Sequence, residues 1–383
     1  MNSSLPRVVA LLCVIWGLAT LSAVTVNADS RPLFEVSHPT FDVTGSIAIP
    51  CTAYRATDDT IFCAFMEHDG TSAIDIGSTR DGGRHWSKAV RVMACPGEGY
   101  IADPTVLVCP NGVSVFATYV PKDPSGAFAR SHFLRSDSPD GTKDWTPPRE
   151  IKVPHQYVSG KTHAPVWLDD RHVVMGYSYD LPADRKQPVK LERQMYSRAG
   201  VLISDDAGLT WAPGGDVFVN ILPTGADEPA LLKLKDGSLF MVVRTSAPHP
   251  YESLSRDGGK TWDAPHPSAL STYNAPTALL RLNDGAVLRV WDNSDRHRYP
   301  LVAAISTDEC KTWSPPRTII DRVADASGKM PFDTACYPSM AQSADGTIVL
   351  VWWEQDGKTA RIGSARFNRA WLESDARDVS GPK

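Results

Sequence analysis

Six times along the chain a proline opens a run of apolar or β-branched residues: Ile49-Pro50, Asp103-Pro104, Ala164-Pro165, Glu228-Pro229, Ala275-Pro276 and Tyr337-Pro338. A turn dipeptide follows each within about nine residues, namely Asp58-Asp59, Asn111-Gly112, Asp169-Asp170, Asp236-Gly237, Asp284-Gly285 and Asp345-Gly346. Proline is tolerated at the first strand position, and such dipeptides between apolar runs signal two-residue hairpins. Each recurrence therefore reads as a strand-turn-strand unit. The prolines are spaced about 58 residues apart on average, a period slightly longer than those of the common propeller repeats.

A second repeat interleaves with the first. Thr79 to Trp86, Ser204 to Trp211, Ser255 to Trp262 and Ser306 to Trp313 share the pattern S/T-x-D-x-G-x-T-W, and Ser138 to Trp145 is a degenerate copy. The copies lie 59, 66, 51 and 51 residues apart. The pattern is that of a tight turn: aspartate accepts backbone N–H bonds, glycine takes a positive φ and tryptophan packs beneath. These boxes are read as scaffold.

No segment carries a long amphipathic helix period, and the runs between turns, such as Leu239 to Val243, are short and strand-like. Six four-stranded antiparallel units around an axis predict an all-β fold, a six-bladed β-propeller. A pair of β-sandwiches is the alternative, and sandwiches rarely repeat at this interval. With 42% hydrophobic and 22% charged residues the composition is that of an ordinary globular chain. A net charge of −5 argues against nucleic acid as a partner.

Residues 1–28 read as a secretory signal peptide: one positive charge at Arg7, an apolar run from Val8 to Val24, and a small-residue cleavage site after Ala28. The run is shorter than a membrane span requires, so an exported protein without stable membrane insertion is expected. The propeller is assigned to residues 29–372, with a polar tail over 373–383. Six cysteines remain after the leader: Cys51, Cys63, Cys95, Cys109, Cys310 and Cys336. Their spacing suggests no zinc site, and both disulfides and free buried thiols fit an exported chain.

Two-residue hairpins would set residues equidistant from the turn opposite one another, which places the start of each first strand and the end of each second strand at one rim. That arithmetic sets Glu228 beside Arg244, Tyr337 opposite Glu354, and Ile49 opposite His68, flanked by Glu67 and Asp69. Blade five ends near Asn293, and the loop beyond carries Arg296 and Arg298. Carboxylates, arginines and a tyrosine thus converge where propellers bind small ligands. Each has a plainer reading: Glu228 and Arg244 as a rim ion pair, Tyr337 as an ordinary funnel aromatic, Arg298 as a solvated charge.

On these residues the chain resembles the sialidase (neuraminidase) superfamily, specifically its bacterial six-bladed branch with aspartate boxes. Glu228-Pro229 through Val243-Arg244 is similar to the family segment in which a glutamate precedes a substrate-binding arginine by sixteen residues. Arg298, eight residues before Ser306, sits where the family places another arginine, and Tyr337 through Glu354 resembles the nucleophile segment. The resemblance implies an exo-acting glycosidase that releases terminal sialic acid with retention through a tyrosyl intermediate, without metal or organic cofactor. Tyr337 would be the nucleophile and Glu228 its base; the acid would be Asp75, placed at the start of a third strand, or Asp69, at the end of a second, with Glu67 a weaker candidate and Asp75 favoured. Arg244, Arg298, Glu354 and Asp103 would bind substrate, a sialylated or other acidic glycan.

The residue types suit that chemistry. A sialic acid carries a carboxylate on its anomeric carbon, which repels a carboxylate nucleophile; a neutral tyrosine avoids this, and sialidases depart from the two-carboxylate arrangement of most glycosidases in this way. A tyrosine needs a base to become nucleophilic. Arginines hold the sugar carboxylate through charge-assisted bonds. One position departs: the family commonly opens blade one with Arg-Ile-Pro, and this chain has Ala48-Ile49-Pro50. Arg55 lies too near the opposite rim to replace that arginine. Ala48 favours a second reading, another acidic sugar cleaved by hydrolysis or elimination. A non-catalytic glycan-binding propeller is a third, and a structural interaction scaffold a fourth.

Overall fold

The computed structural model describes residues 31–122, 131–155, 157–159, 164–180, 197–221, 224–324 and 330–374. The expected leader (1–28) and the end of the expected tail (375–383) lie outside them. The described residues form six antiparallel sheets, the blades of a six-bladed propeller. Blade one runs from Ser46–Arg55 to Val90–Ala94, blade two from Gly99–Cys109 to Arg149–Ile151, blade four from Asp227–Lys233 to His266–Pro267, and blade five from Ala278–Arg281 to Arg317–Ile320. Blade three has five strands, because two short ones, Tyr157–Ser159 and Val166–Trp167, pair with opposite ends of Val173–Asp180.

Blade six is assembled from both ends of the sequence. Thr334–Gln342, Ile348–Asp356 and Thr359–Phe367 supply three strands, and Phe34–Ser37 adds the fourth, with Phe34 opposite Phe367. Asn368 secures the join: its Oδ1 accepts from Leu33 N at 3.1 Å and caps the short helix Arg369–Glu373 through Trp371 N. Phe34 stacks on Trp371 at 4.2 Å between ring centroids.

Apolar side chains pack between blades. The largest such core, with Leu288, Val290, Phe332, Met340, Trp352 and Phe367, lies between blades five and six. The five boxes all follow the last residue of a third strand (Thr79, Ser138, Ser204, Ser255, Ser306), so they occupy the rim opposite the first-strand starts. Their tryptophans pack against the inter-blade cores. All six cysteines are free, which decides between the two states left open by the sequence.

The hairpin arithmetic needs correction in two respects. The Asp236-Gly237 turn is a three-residue loop, closed by Leu234 N to Ser238 O at 2.8 Å and Gly237 N to Leu234 O at 3.0 Å, with Gly237 at φ 87°. Blades five and six turn in the same way, a type I turn followed by a left-handed residue. The prolines of blades one, two, four and six are also interior to their strands rather than first. At each, the register slips: between Ala48 and Cys51, Ala102 and Thr105, Asp227 and Ala230, and Cys336 and Ser339. Proline cannot donate to the ladder, and a bulge is where a strand accommodates it. The partners therefore shift: Ser46 rather than Ile49 faces His68, Asp227 faces Arg244, and Ala335 rather than Tyr337 faces Glu354.

Candidate functional site

The bulges re-aim side chains. The residue before each bulged proline has a left-handed backbone: Ile49 at φ 51°, Asp103 at 58°, Glu228 at 45° and Tyr337 at 59°. Residues before proline ordinarily prefer extended conformations, so each such position is strained by about 1–3 kcal/mol. The surrounding ladder and cores hold them there.

Glu228 is fully buried. Its backbone N–H donates to Ser178 Oγ at 2.7 Å and to Asp227 Oδ1 at 3.0 Å. Its Oε1 accepts from Arg244 Nη1 at 2.6 Å and from Tyr337 Oη at 3.3 Å. Arg244, the last residue of Leu239–Arg244, also donates from Nη1 to Tyr337 Oη at 3.2 Å and from Nε to Asn274 Oδ1 at 2.8 Å. Burial works against the Arg244 charge, but Glu228, Tyr337 and Asp227 outweigh it and hold the guanidinium protonated. A phenol, a carboxylate and a guanidinium from blades four and six thus meet at single atoms: the carboxylate can take the phenolic proton and the guanidinium can stabilise the phenolate.

Arg298 arrives from the loop between Val287–Asp292 and Leu301–Ser306 and lies 5.6 Å over the Tyr337 ring. Its Nη2 donates to Asn274 O at 2.7 Å and its Nη1 to Cys336 Sγ at 3.6 Å, while Ala335 N pins the loop through Arg298 O at 3.1 Å. Arg296, its competitor in the sequence, is exposed beside Asp295. Asp103 occupies the blade-two bulge and is buried.

The remaining expected residues stand elsewhere. Glu354 is saturated by its own blade and the N-terminal segment: it accepts from Trp352 Nε1 at 2.8 Å, Arg361 Nε at 2.7 Å and His38 Nε2 at 3.0 Å. Burial raises its pKa, and His38 and Arg361 more than reverse this. Asp75 lies in the middle of Thr71–Thr79, not at its start, and shares the Arg91 guanidinium with Glu67. Burial and Glu67 push Asp75 up to about 6 against the pull of Arg91, while Glu67 is lowered. Asp69 ends its strand at the exposed hairpin of Gly70 and accepts from Thr44 Oγ1 at 3.4 Å. Ala48 is buried opposite Met66. Arg55 is bound at the box rim by Asp58 and by Asp140 O.

Two residues of the site were not singled out from the sequence. Asn274, at φ 41° just upstream of Ala275-Pro276, orients both arginines, one through its side chain and one through its backbone. Its signal was its place beside a repeat proline. Asp292 ends the second strand of blade five, as Arg244 ends that of blade four, and is fully buried. Burial raises its pKa far above the carboxylate range, with Arg298 only partly opposing. Among the described residues no cluster of His, Cys, Asp and Glu could hold a metal ion. A cavity of 1040 Å³ lies at the box rim, lined by Arg55, Asn111, Trp167 and Asp170.

The fold is similar to that of several solved structures. A protein of unknown function from Dyadobacter fermentans superimposes with a TM-score of 0.69 at 20% identity, over 88% of this chain and 98% of that one. The NanB sialidase from Streptococcus pneumoniae gives 0.67 at 12% identity, over 89% and 71%. Trypanosoma rangeli sialidase gives 0.65 at 14%, over 85% of this chain but only 55% of that one, so the chain spans about half of the trypanosomal enzyme. No curated protein matches the sequence. The sequence profile of the BNR repeat-like domain matches residues 59–350, and with the six blades and their boxes this identifies the chain as a member of the BNR repeat-like family with the sialidase propeller fold.

Proposed function

We propose that this protein is an exported exo-glycosidase that releases a terminal acidic sugar, sialic acid foremost, by way of a tyrosyl intermediate. The observation that carries the reading is the shared Oε1 of Glu228, which accepts both from Tyr337 Oη at 3.3 Å and from Arg244 Nη1 at 2.6 Å. In the first step Tyr337 Oη forms a bond to the anomeric carbon and its proton passes to Glu228. The glycosidic C–O bond breaks, and the leaving oxygen takes a proton from a carboxylic acid at the blade-one rim. Water then displaces the tyrosyl oxygen, giving its proton to the blade-one carboxylate while Glu228 returns the phenolic proton to Tyr337, with net retention. Arg244 and Arg298 hold the sugar carboxylate.

Asp75 and Asp69 are the candidates for the acid. The pKa of about 6 supports Asp75 and its engagement by Arg91 opposes it; the exposed hairpin position supports Asp69. Ala48 favours a second reading, in which the same site takes a different acidic sugar. Release of a fluorogenic aglycone from an α-sialoside by purified protein, with Tyr337→Phe and Glu228→Ala alongside, tests the proposal. Turnover lost in both variants supports it. A folded wild type inert on this and on natural sialosides moves the assignment to another acidic sugar or to binding without turnover.

A further inference from the structure

Asn274 touches both arginines of the proposed site and carries no charge. Its Oδ1 accepts from Arg244 Nε at 2.8 Å and its carbonyl oxygen accepts from Arg298 Nη2 at 2.7 Å. One backbone setting provides both contacts: Asn274 lies at φ 41°, in the left-handed region that asparagine and aspartate enter more readily than other side chains. Just upstream, Ser268 N donates to Pro250 O at 2.8 Å and Thr272 N to Pro248 O at 3.1 Å, so the stretch is fastened to the loop that follows Arg244. Arg244 is thereby held at two of its three nitrogens, Nε on Asn274 and Nη1 on Glu228 and Tyr337. A guanidinium is planar, so these bonds also fix Nη2, which makes no hydrogen bond among the described residues and is the corner left for a substrate.

The charges around this pair give the amide its meaning. Glu228 already sets one negative charge on Arg244, at 2.6 Å. The hydrogen-bond partners of Arg298 are Asn274 O and Cys336 Sγ, and burial pushes the Cys336 thiol up to about 12, so both are neutral. A carboxylate at position 274 would place a second negative charge on Arg244 and cancel part of what the two cations offer together. We propose that Asn274 is a positioning residue that sets the selectivity of the site for acidic sugars: a neutral yoke that fixes both guanidiniums and leaves their charge to the sugar carboxylate. Ala48 stands where another arginine would add to them, so the pull on that carboxylate falls to Arg244 and Arg298. The inference rests on the acidic-sugar reading above.

Two substitutions compatible with a left-handed backbone separate position from charge. Asn274→Gly keeps the carbonyl that holds Arg298 and removes the acceptor that holds Arg244, whereas Asn274→Asp keeps both acceptors and adds a charge. They are read in kcat and KM on the α-sialoside, in calorimetric Kd for free sialic acid and for glucuronic acid, and in crystal structures. Asn274→Gly is expected to lower kcat about tenfold and raise KM about fivefold, because Arg244 loosens from Glu228 and Tyr337. Combined with Arg244→Ala it should cost nothing further, and combined with Arg298→Ala its effect should add. Asn274→Asp is expected to raise KM and Kd about tenfold with kcat much less changed and both guanidiniums in place. Wild-type KM and Kd in Asn274→Asp, or an Asn274→Gly effect that adds to that of Arg244→Ala, would overturn the proposal. Should the glycine variant not fold, Asn274→Ala takes its place in the cycle. The crystal structures separate this inference from the one beneath it. An Arg244 guanidinium displaced in Asn274→Gly and kept in Asn274→Asp sustains the positioning role even where no sialoside is cleaved, and one unmoved in Asn274→Gly sinks it even where sialosides are cleaved.

Discussion

At the box rim Ser204, Ser255 and Ser306 each donate to the aspartate two residues on at 2.8 Å, and each accepts the N–H of the residue four on at 2.9 Å. At the funnel rim the residues before the repeat prolines are Ile49, Asp103, Ala164, Glu228, Ala275 and Tyr337. At one end the box hydrogen bonds recur across blades three, four and five, and at the other, in blades one, two, four and six, the side chain changes while the left-handed backbone is kept. The difference teaches where to look for function in a repeat fold. Positions under the same constraint in every blade hold the ring together, and positions whose backbone recurs while the side chain varies are available for chemistry.

That division can be broken by variants at either rim. The largest expected effect is on turnover: Tyr337→Phe should lower kcat roughly a thousandfold and Glu228→Gln roughly a hundredfold or more, with circular dichroism unchanged. Next is Ala48→Arg. If the funnel grips a sialic acid carboxylate, restoring a guanidinium should lower KM for the α-sialoside about tenfold, by the worth of one hydrogen bond to a charged group. A rise in KM would instead point to a substrate that needs the space Ala48 leaves. At the other rim, Asp206→Ala should lower Tm by about 2–3 °C and leave kcat and KM alone, since it removes turn bonds to Thr210 and Ser204 far from the funnel. A large loss of activity there, without unfolding, would erase the distinction between the rims.

The smallest effect is on the pH dependence of stability, where the sign differs between two sets of carboxyls. The box aspartates Asp81, Asp206, Asp257 and Asp308 are held at about 2 by hydrogen bonds that outweigh whatever burial opposes them. Their contribution is complete above the ordinary aspartate range near pH 4 and disappears as pH falls towards 2. Asp75, raised to about 6, behaves oppositely: its contribution is complete below about pH 4 and is lost as pH rises through 6. Asp75→Asn should therefore flatten Tm between pH 4 and 6 and leave the acid limb below pH 4 intact, as thermal melts across that range would show.

The sequence announced the ring and its rims through two interleaved periods, because a tight turn and a proline in or beside a first strand are both local chemistry. It also located the segments that carry Glu228, Arg244, Arg298 and Tyr337, which the structure brings together. What it concealed was long-range. Counting outward from a hairpin presumes an unbroken ladder, yet each proline withholds a donor, the strand bulges, and partners shift, so that Ala335 instead of Tyr337 lies opposite Glu354. Asn274 and Asp292 escaped notice for a related reason: an asparagine whose oxygens reach two arginines, and an acid at a seam between blades, derive their character from neighbours that no local pattern names.

The fourth strand of blade six makes the ring a clasp that fastens late. Leu33 and Asn368 bond across a sequence separation of 335, and Phe34–Ser37 has no sheet to join until Thr359–Phe367 exists. During synthesis the interior blades can form in order, each resting on the one before, while the two outermost wait for the same late event. Glu228, Arg244, Arg298 and Tyr337 span blades four, five and six, so this cluster is completed only by the last portion of the chain. A polypeptide ending short of residue 359 would be an open arc with an unpaired sheet edge, a form prone to join other chains.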